Sequence, residues 1–187
     1  MIITSITRHV LQRHAMRALD ILDGYWAGLA AQGDLPLWSS IDPGRIQDAL
    51  DQAFLAEMHG RSHARLRVAG TAVNEMAGRP CAGLPLGCLV DRDDQLRLQE
   101  ALLLLVRTRR PVEVRLGAEP CDHLGRAEAR LVLYPLRDTA GRVTQLLGAV
   151  APVMAERSGA GPYRISEVPT HSAPIPRARL TLVVNNP

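Results

Sequence analysis

The sequence predicts an α+β domain: a five-stranded antiparallel sheet with helices on one face, a long amphipathic helix before it and an extended tail after it. Three observations carry that reading. Runs with a period of two recur near 54–58, 64–69, 112–116, 127–136 and 142–151, the pattern of strands. Two stretches with helical spacing, 72–77 and 91–108, separate the second run from the third. The last two strands are apolar on both faces, so the sheet needs cover on each side.

Residues 7–31 read as the first helix, with Thr7 as its cap and Gly33 as its stop. Leu11, Ala15, Ala18, Leu22, Tyr25 and Leu29 recur at spacings of three and four, a narrow heptad-like seam. Val10, Ile21 and Trp26 lie off that seam and leave a second apolar side. The seam packs on its own domain or against a second copy; it is too short to stand alone as a coiled coil. Gln32 to Arg45 is a connector, in which Trp38 is expected to plug an edge of the core. Asp42-Pro43 opens a turn or short helix through Leu50.

Phe54, Ala56 and Met58 alternate with Leu55 and Glu57 in the first strand, and Gly60 to Ser62 turns it into a hairpin. In the second strand Arg65, Arg67 and Ala69 take one side, Leu66 and Val68 the other. Gly70 then permits a corner, and Thr71 is placed to cap a short helix by accepting from the Asn74 amide. Gly78 sits where a left-handed C-terminal residue belongs. Asp91 caps the next helix, with Asp93 and Asp94 in its dipole-favoured first turn. Its run Leu102 to Val106 needs cover on more than one side, and Pro111 ends it.

Val112, Val114 and Leu116 form the third strand, followed by a turn over 119–125. Strands 127–136 and 142–151 are joined by Asp138 to Gly141. Their side chains are assigned as Leu131, Leu133, Leu147 and Ala149 on one face, and Val132, Tyr134, Leu136, Leu146 and Val150 on the other. The first helix is the candidate cover for the outer face. From 154 onward Ser, Gly, Pro and Arg make a linker, before the apolar stretch Leu180 to Val184 adds an edge strand or docks on a partner. The domain organisation is therefore 1–45 helix and connector, 46–152 sheet domain, 153–187 tail.

Composition narrows the chemistry. All 22 basic residues other than histidine are arginine, which excludes lysine Schiff bases and a P-loop. The net charge of +3 is scattered among acids, so no basic patch for nucleic acid is formed. Only one Phe, two Trp and three Tyr occur, so the core is aliphatic. No secretory leader and no membrane span is read, and the chain is expected to be soluble and cytoplasmic. Cys81, Cys88 and Cys121 lack metal-ligand spacing. Cys121, Asp122 and His123 make a polar turn, since Cys-x-His alone closes no metal site and no oriented base accompanies the thiol. His59 and His63 merely flank a hairpin, and Gly83 to Gly87 is a connecting turn without the lysine a phosphate cradle requires.

Tyr25-Trp26, Pro36, Ile41-Asp42-Pro43, Arg67, Ala69-Gly70-Thr71, Gly78-Arg79 and Gly83 stand in an order that resembles the PAS_5 family of PAS domains. The resemblance spans roughly 25–152; where the family has Leu-Pro before its first strand, this chain has Leu50-Asp51. It implies a PAS-like fold and a broad signalling role, without naming a reaction. The expected function is a non-enzymatic sensory or regulatory module acting through a partner protein. A small-molecule binder with an aliphatic cavity between the sheet and the helices at 72–77 and 91–108 is the alternative, and an enzyme on a similar fold a third.

For such a ligand the candidate residues are Arg67, Thr71, Asn74 and Arg79. An arginine fork beside a helix start binds a carboxylate or phosphate, or else it ties the corner to a carboxylate of its own. No cofactor and no metal is expected: Cys81 lacks the neighbours found in flavin photosensors, and His14 is placed on a helix surface. A homodimer is expected, with Leu22, Trp26 and Leu29 at or near its interface. Neither nucleic-acid binding nor membrane insertion is expected.

Overall fold

Helical spacing at the N-terminus produces α1 (Ile2–Ala30), which starts ahead of Thr7, so Thr7 is an interior residue and not the cap. The computed structural model describes residues 2–31, 33–118, 127–154 and 163–167, with α1 side chains from Gln12 onward. Gly33, at φ +107°, turns the chain out of the helix, a backbone geometry that favours glycine. Two 3-10 turns follow, Trp38–Ser40 and Pro43–Ala49, the second capped by the Asp42 carboxylate accepting from the Gly44 amide. Trp38 is 47% exposed and does not plug the core; Leu35, Ile46 and Ala49 take the buried places there.

The hairpin β1 (Ala53–His59) and β2 (His63–Ala69) leads into α2 (Thr71–Ala77). A 3-10 turn at Arg92–Asp94 precedes α3 (Gln95–Thr108), and Asp91 accepts from the Asp93 amide to start it. Then come β3 (Val112–Ala118), β4 (Ala127–Arg137), β5 (Val143–Met154) and β6 (Arg164–Glu167). The strand order is β2-β1-β5-β4-β3-β6, with every neighbouring pair antiparallel. Among the described residues the sheet therefore has six strands, not five. The sixth arises within the segment read as linker, because Ile165 pairs with Leu116 and is buried against the core. The turn at 119–125 and the stretch 180–184 lie outside the described residues.

The sheet is covered on both faces, as its two-sided apolar strands require. On the inner face α2 and α3 pack over Phe54, Leu66, Leu131, Leu133, Leu146 and Val150. Along α3, Leu98, Ala101, Leu102 and Leu105 are buried, whereas Leu103 turns 38% of its surface to solvent. On the outer face α1 packs Ala15, Ala18, Leu19, Leu22 and Trp26 over Val132, Tyr134, Leu136, Leu147 and Ala149. A helix at 3.6 residues per turn drifts off a strict heptad seam, so Trp26 replaces Tyr25 in the contact row.

Two face assignments are corrected by register. Leu131 pairs with Val150 and Val132 with Ala149, and paired residues share a face. Leu146 and Val150 thus lie on the inner face, Leu147 and Ala149 on the outer. In β2 a bulge opposite Leu55 and Ala56 inserts Arg67 as an extra residue. Beyond it the alternation resets, and Val68 is 61% exposed instead of joining Leu66 in the core.

Candidate functional site

The corner between β2 and α2 is built by close approach. Gly70 has ordinary extended angles, φ −69° and ψ 170°, so conformational freedom is not what it supplies. A Cβ there would sit 2.1 Å from the Leu50 carbonyl oxygen and 2.3 Å from that of Asp51. That proximity lets the Gly70 amide donate to Ala53 O and the Ala72 amide to Asp51 O, both at 2.9 Å. Two of the amides a helix start leaves unpaired are thereby satisfied. Gly70, not Thr71, is the N-cap, and the Asn74 amide donates to the Gly70 carbonyl; Thr71 is an exposed first helical residue. Gly78, left-handed at φ +68°, closes α2.

The remaining candidates do different jobs. Asn74 is committed internally: its Oδ1 accepts from the Cys81 amide at 2.9 Å and from the Cys81 thiol at 3.1 Å. Its Nδ2 reaches Ala69 O at 3.5 Å. Arg67, on the outer side of the bulge, pairs with Glu57 of the neighbouring strand. Arg79 follows the α2 cap and is exposed. Arg67 and Asn74 thus work on opposite sides of the sheet. The Cys81 and Cys88 thiols neighbour one another, and burial raises both, Cys88 to about 11. Such thiols are held protonated and are weak nucleophiles.

Where the small-molecule alternative would place its cavity, between the sheet and the helices α2 and α3, stand side chains. Phe54 lies directly across from Gly148 in the β1–β5 register, and its ring occupies the space a side chain at 148 would need. Phe54, Leu66, Leu102, Leu105, Leu131 and Leu133 are each at most 2% exposed.

Sequence reasoning missed the polar fastening of α1. The Tyr134 hydroxyl donates to Asp23 Oδ1 at 2.6 Å, and the Trp26 indole N–H donates to the Pro135 carbonyl at 3.0 Å. Burial raises the Asp23 carboxyl above its ordinary value, although the Tyr134 hydrogen bond works against this. Burial also raises the Tyr134 phenol, and the Asp23 charge adds to the effect. Beside them Arg130 forms a two-pronged pair with Glu113, at 2.7 and 2.6 Å. The signal available was Asp23 standing three residues before Trp26, on the same helix side. Leu22 and Trp26 are buried under α1 against this sheet, while Leu29 is half-buried. The helix turns Arg13, Arg17, Asp20, Gly24 and Gly28 outward.

Among the described residues no helix is long and apolar enough to cross a membrane, and no three His, Cys, Asp or Glu side chains are grouped to hold a metal ion. The PAS_5 family, described as a PAS domain, matches residues 14–151. No curated protein matches the chain. Among solved structures, the PAS domain of Bordetella pertussis BvgS is similar at 14% identity and a TM-score of 0.41, over 56% of this chain and 77% of that one. Vibrio cholerae VqmA is similar in two structures, a dimer in the absence of target DNA and a ligand–DNA complex. Each has 14% identity and a TM-score of 0.42, over 61% of this chain. The chain spans 52% of the VqmA chains it matches.

Proposed function

Because the chain belongs to the PAS_5 family of PAS domains, we propose that it is a sensory and regulatory signalling module that acts through contacts with another protein and not through catalysis. The observation that carries this over the small-molecule alternative is the filled interior. The space under α3 is occupied by Phe54 and its aliphatic neighbours, and Asn74 is spent on the Cys81 loop. Arg67 and Arg79 then serve the surface, Arg67 through its pair with Glu57. The module works in the cytoplasm, without cofactor, metal, nucleic acid or membrane insertion.

Two copies associate through the outward side of α1, with Leu22 and Trp26 just beneath the contact and Leu29 at its edge. Support comes from the way α1 is fastened. Among the described residues its polar ties to the outer face include Tyr134 to Asp23, Trp26 to Pro135 and Arg130 to Met16, spaced along one side, so a partner on its far side can shift it relative to the sheet. Native mass spectrometry of freshly purified protein tests the reading: the mass of the unliganded chain, alone or doubled, is expected. A stoichiometric small-molecule adduct overturns it in favour of the binder. Sedimentation at high micromolar concentration tests the dimer, and a strictly monomeric profile refutes it.

A further inference from the structure

The structure assigns a binding role to the side of β3 away from β4. We propose that the β3 edge and the start of α3 form a strand-binding site, occupied here by the chain's own Tyr163–Glu167 and open to the same segment from a second copy. This does not depend on the signalling reading. The segment is held as a bound peptide would be. Its Ile165 amide donates to Asp94 Oδ2 at 2.9 Å, and its Ile165 carbonyl accepts from Arg97. Ile165 itself is 2% exposed, its side chain in the core cluster.

Charge reads the positions on either side. Arg164 pairs with Asp94 at 3.5 Å and Glu167 with Arg115 at 3.1 Å. The Ser166 hydroxyl donates to Arg115 O at 3.2 Å, and Tyr163 exchanges backbone hydrogen bonds with Leu89 and Asp91. Asp94 is the anchor: a carboxylate 5% exposed that meets Arg97, Arg164 and the Ile165 amide together. The fitting occupant is thus an extended aromatic–Arg–aliphatic–Ser–acid segment, which every copy of this chain carries.

The tether permits exchange. Residues 155–162 separate β5 from Tyr163 and can reach ~26 Å when extended. Crossing from β5 past β4 and β3 to β6 requires only ~14 Å at the spacing of neighbouring strands. The tether thus closes onto its own sheet with slack, and the β3 edge of a second copy within ~26 Å of the end of β5 is equally in reach.

The test uses the full chain with its strand evicted by Ile165→Asp, and a fluorescein-labelled peptide with the sequence of residues 161–169, standing for a second copy's segment. Saturable binding to the evicted chain is expected, at least ~10-fold tighter than to the unmodified chain, whose site is filled. Adding Asp94→Asn should weaken it by ~10-fold or more, through loss of a charge-assisted acceptor. A folded Ile165→Asp chain without saturable binding, or one indifferent to Asp94→Asn, overturns the proposal. Hydrogen exchange on the unmodified chain is the second measurement: the Ile165 amide should exchange at least ~100-fold faster than the paired amides of β5. Equal protection, or failure of Ile165→Asp to fold, would make β6 an inseparable part of the sheet and equally overturn it.

Discussion

Phe54 and Gly148 form a steric pair whose coupling can be worked out before it is measured. An alanine Cβ at 148 would lie 2.1 Å from Phe54 Cζ and 2.5 and 2.7 Å from the two Cε atoms. Carbon atoms rest about 3.5–4.0 Å apart, so the ring would have to withdraw by roughly 1.5 Å. β5 is paired on both sides, by β1 and β4, and holds Gly148 in place; the ring is enclosed by the inner core. Overpacking of this kind costs about 1–3 kcal/mol. In a chain of this length that lowers Tm by roughly 2–4 °C per kcal/mol, or about 2–12 °C.

Phe54→Leu removes the three offending atoms, at a cost of about 1–2 kcal/mol for the lost apolar volume. In that background Gly148→Ala meets no clash, and the usual strand preference for alanine over glycine returns about 0.5–1 kcal/mol. Urea denaturation of the four chains followed by circular dichroism gives the coupling directly, expected at about 1.5–4 kcal/mol in favour of the double variant. If Gly148→Ala costs the same in both backgrounds, the ring does not lie where the argument needs it, and the filled-interior reading loses its support.

Three further outcomes follow from the same geometry. Gly70→Ala should destabilise by about 3 kcal/mol or more, because the colliding atoms at 2.1 and 2.3 Å are backbone carbonyls that cannot swing aside; a variant melting within 2 °C or so of the parent would refute the close approach. Asp23 has a raised carboxyl, so the stability its proton brings is full below the ordinary value of 3.8 and is lost as pH rises through the folded value. Asp23→Asn should therefore gain on the parent as pH climbs from acid toward neutrality, and a pH-independent difference between the two denaturation curves would sink the assignment. Cys88, raised to about 11 from 9.0, should be alkylated by iodoacetamide at pH 8 roughly 100-fold more slowly than a free thiol, as read by peptide mapping; equal rates would refute its burial.

The order of elements was legible because period and punctuation are local. Alternation at Phe54, Ala56 and Met58 and the left-handed Gly78 act over a few residues, and each stands where expected; the Asp91 carboxylate also caps, but the 3-10 turn ahead of α3 and not α3 itself. That the outer face needed a covering helix was also readable, since Val132, Tyr134 and Leu136 are apolar on the side away from Leu131 and Leu133. For the corner, the glycine was recognised but its reason was not. Its neighbours in space, Leu50 and Asp51, are distant in sequence, and their carbonyls do not announce themselves.

By itself the sequence determined the order of elements from α1 to β5, an aliphatic two-faced sheet and the family to which the chain belongs. The tertiary structure alone decided how those elements share faces and what fills the interior. Pairing across the 138–141 turn, with its irregularity between Leu136 and Arg137, set Leu146 and Val150 inward; a one-residue slip would have reversed them. The bulge at Arg67 sent Val68 to solvent, and four residues of a Gly- and Ser-rich segment became a strand once Asp94 and Leu116 offered them partners. The physical reason is common to all of these. A side chain's face and a strand's existence depend on free energies shared with groups far along the chain, and the local pattern carries no term for a partner it has not yet met.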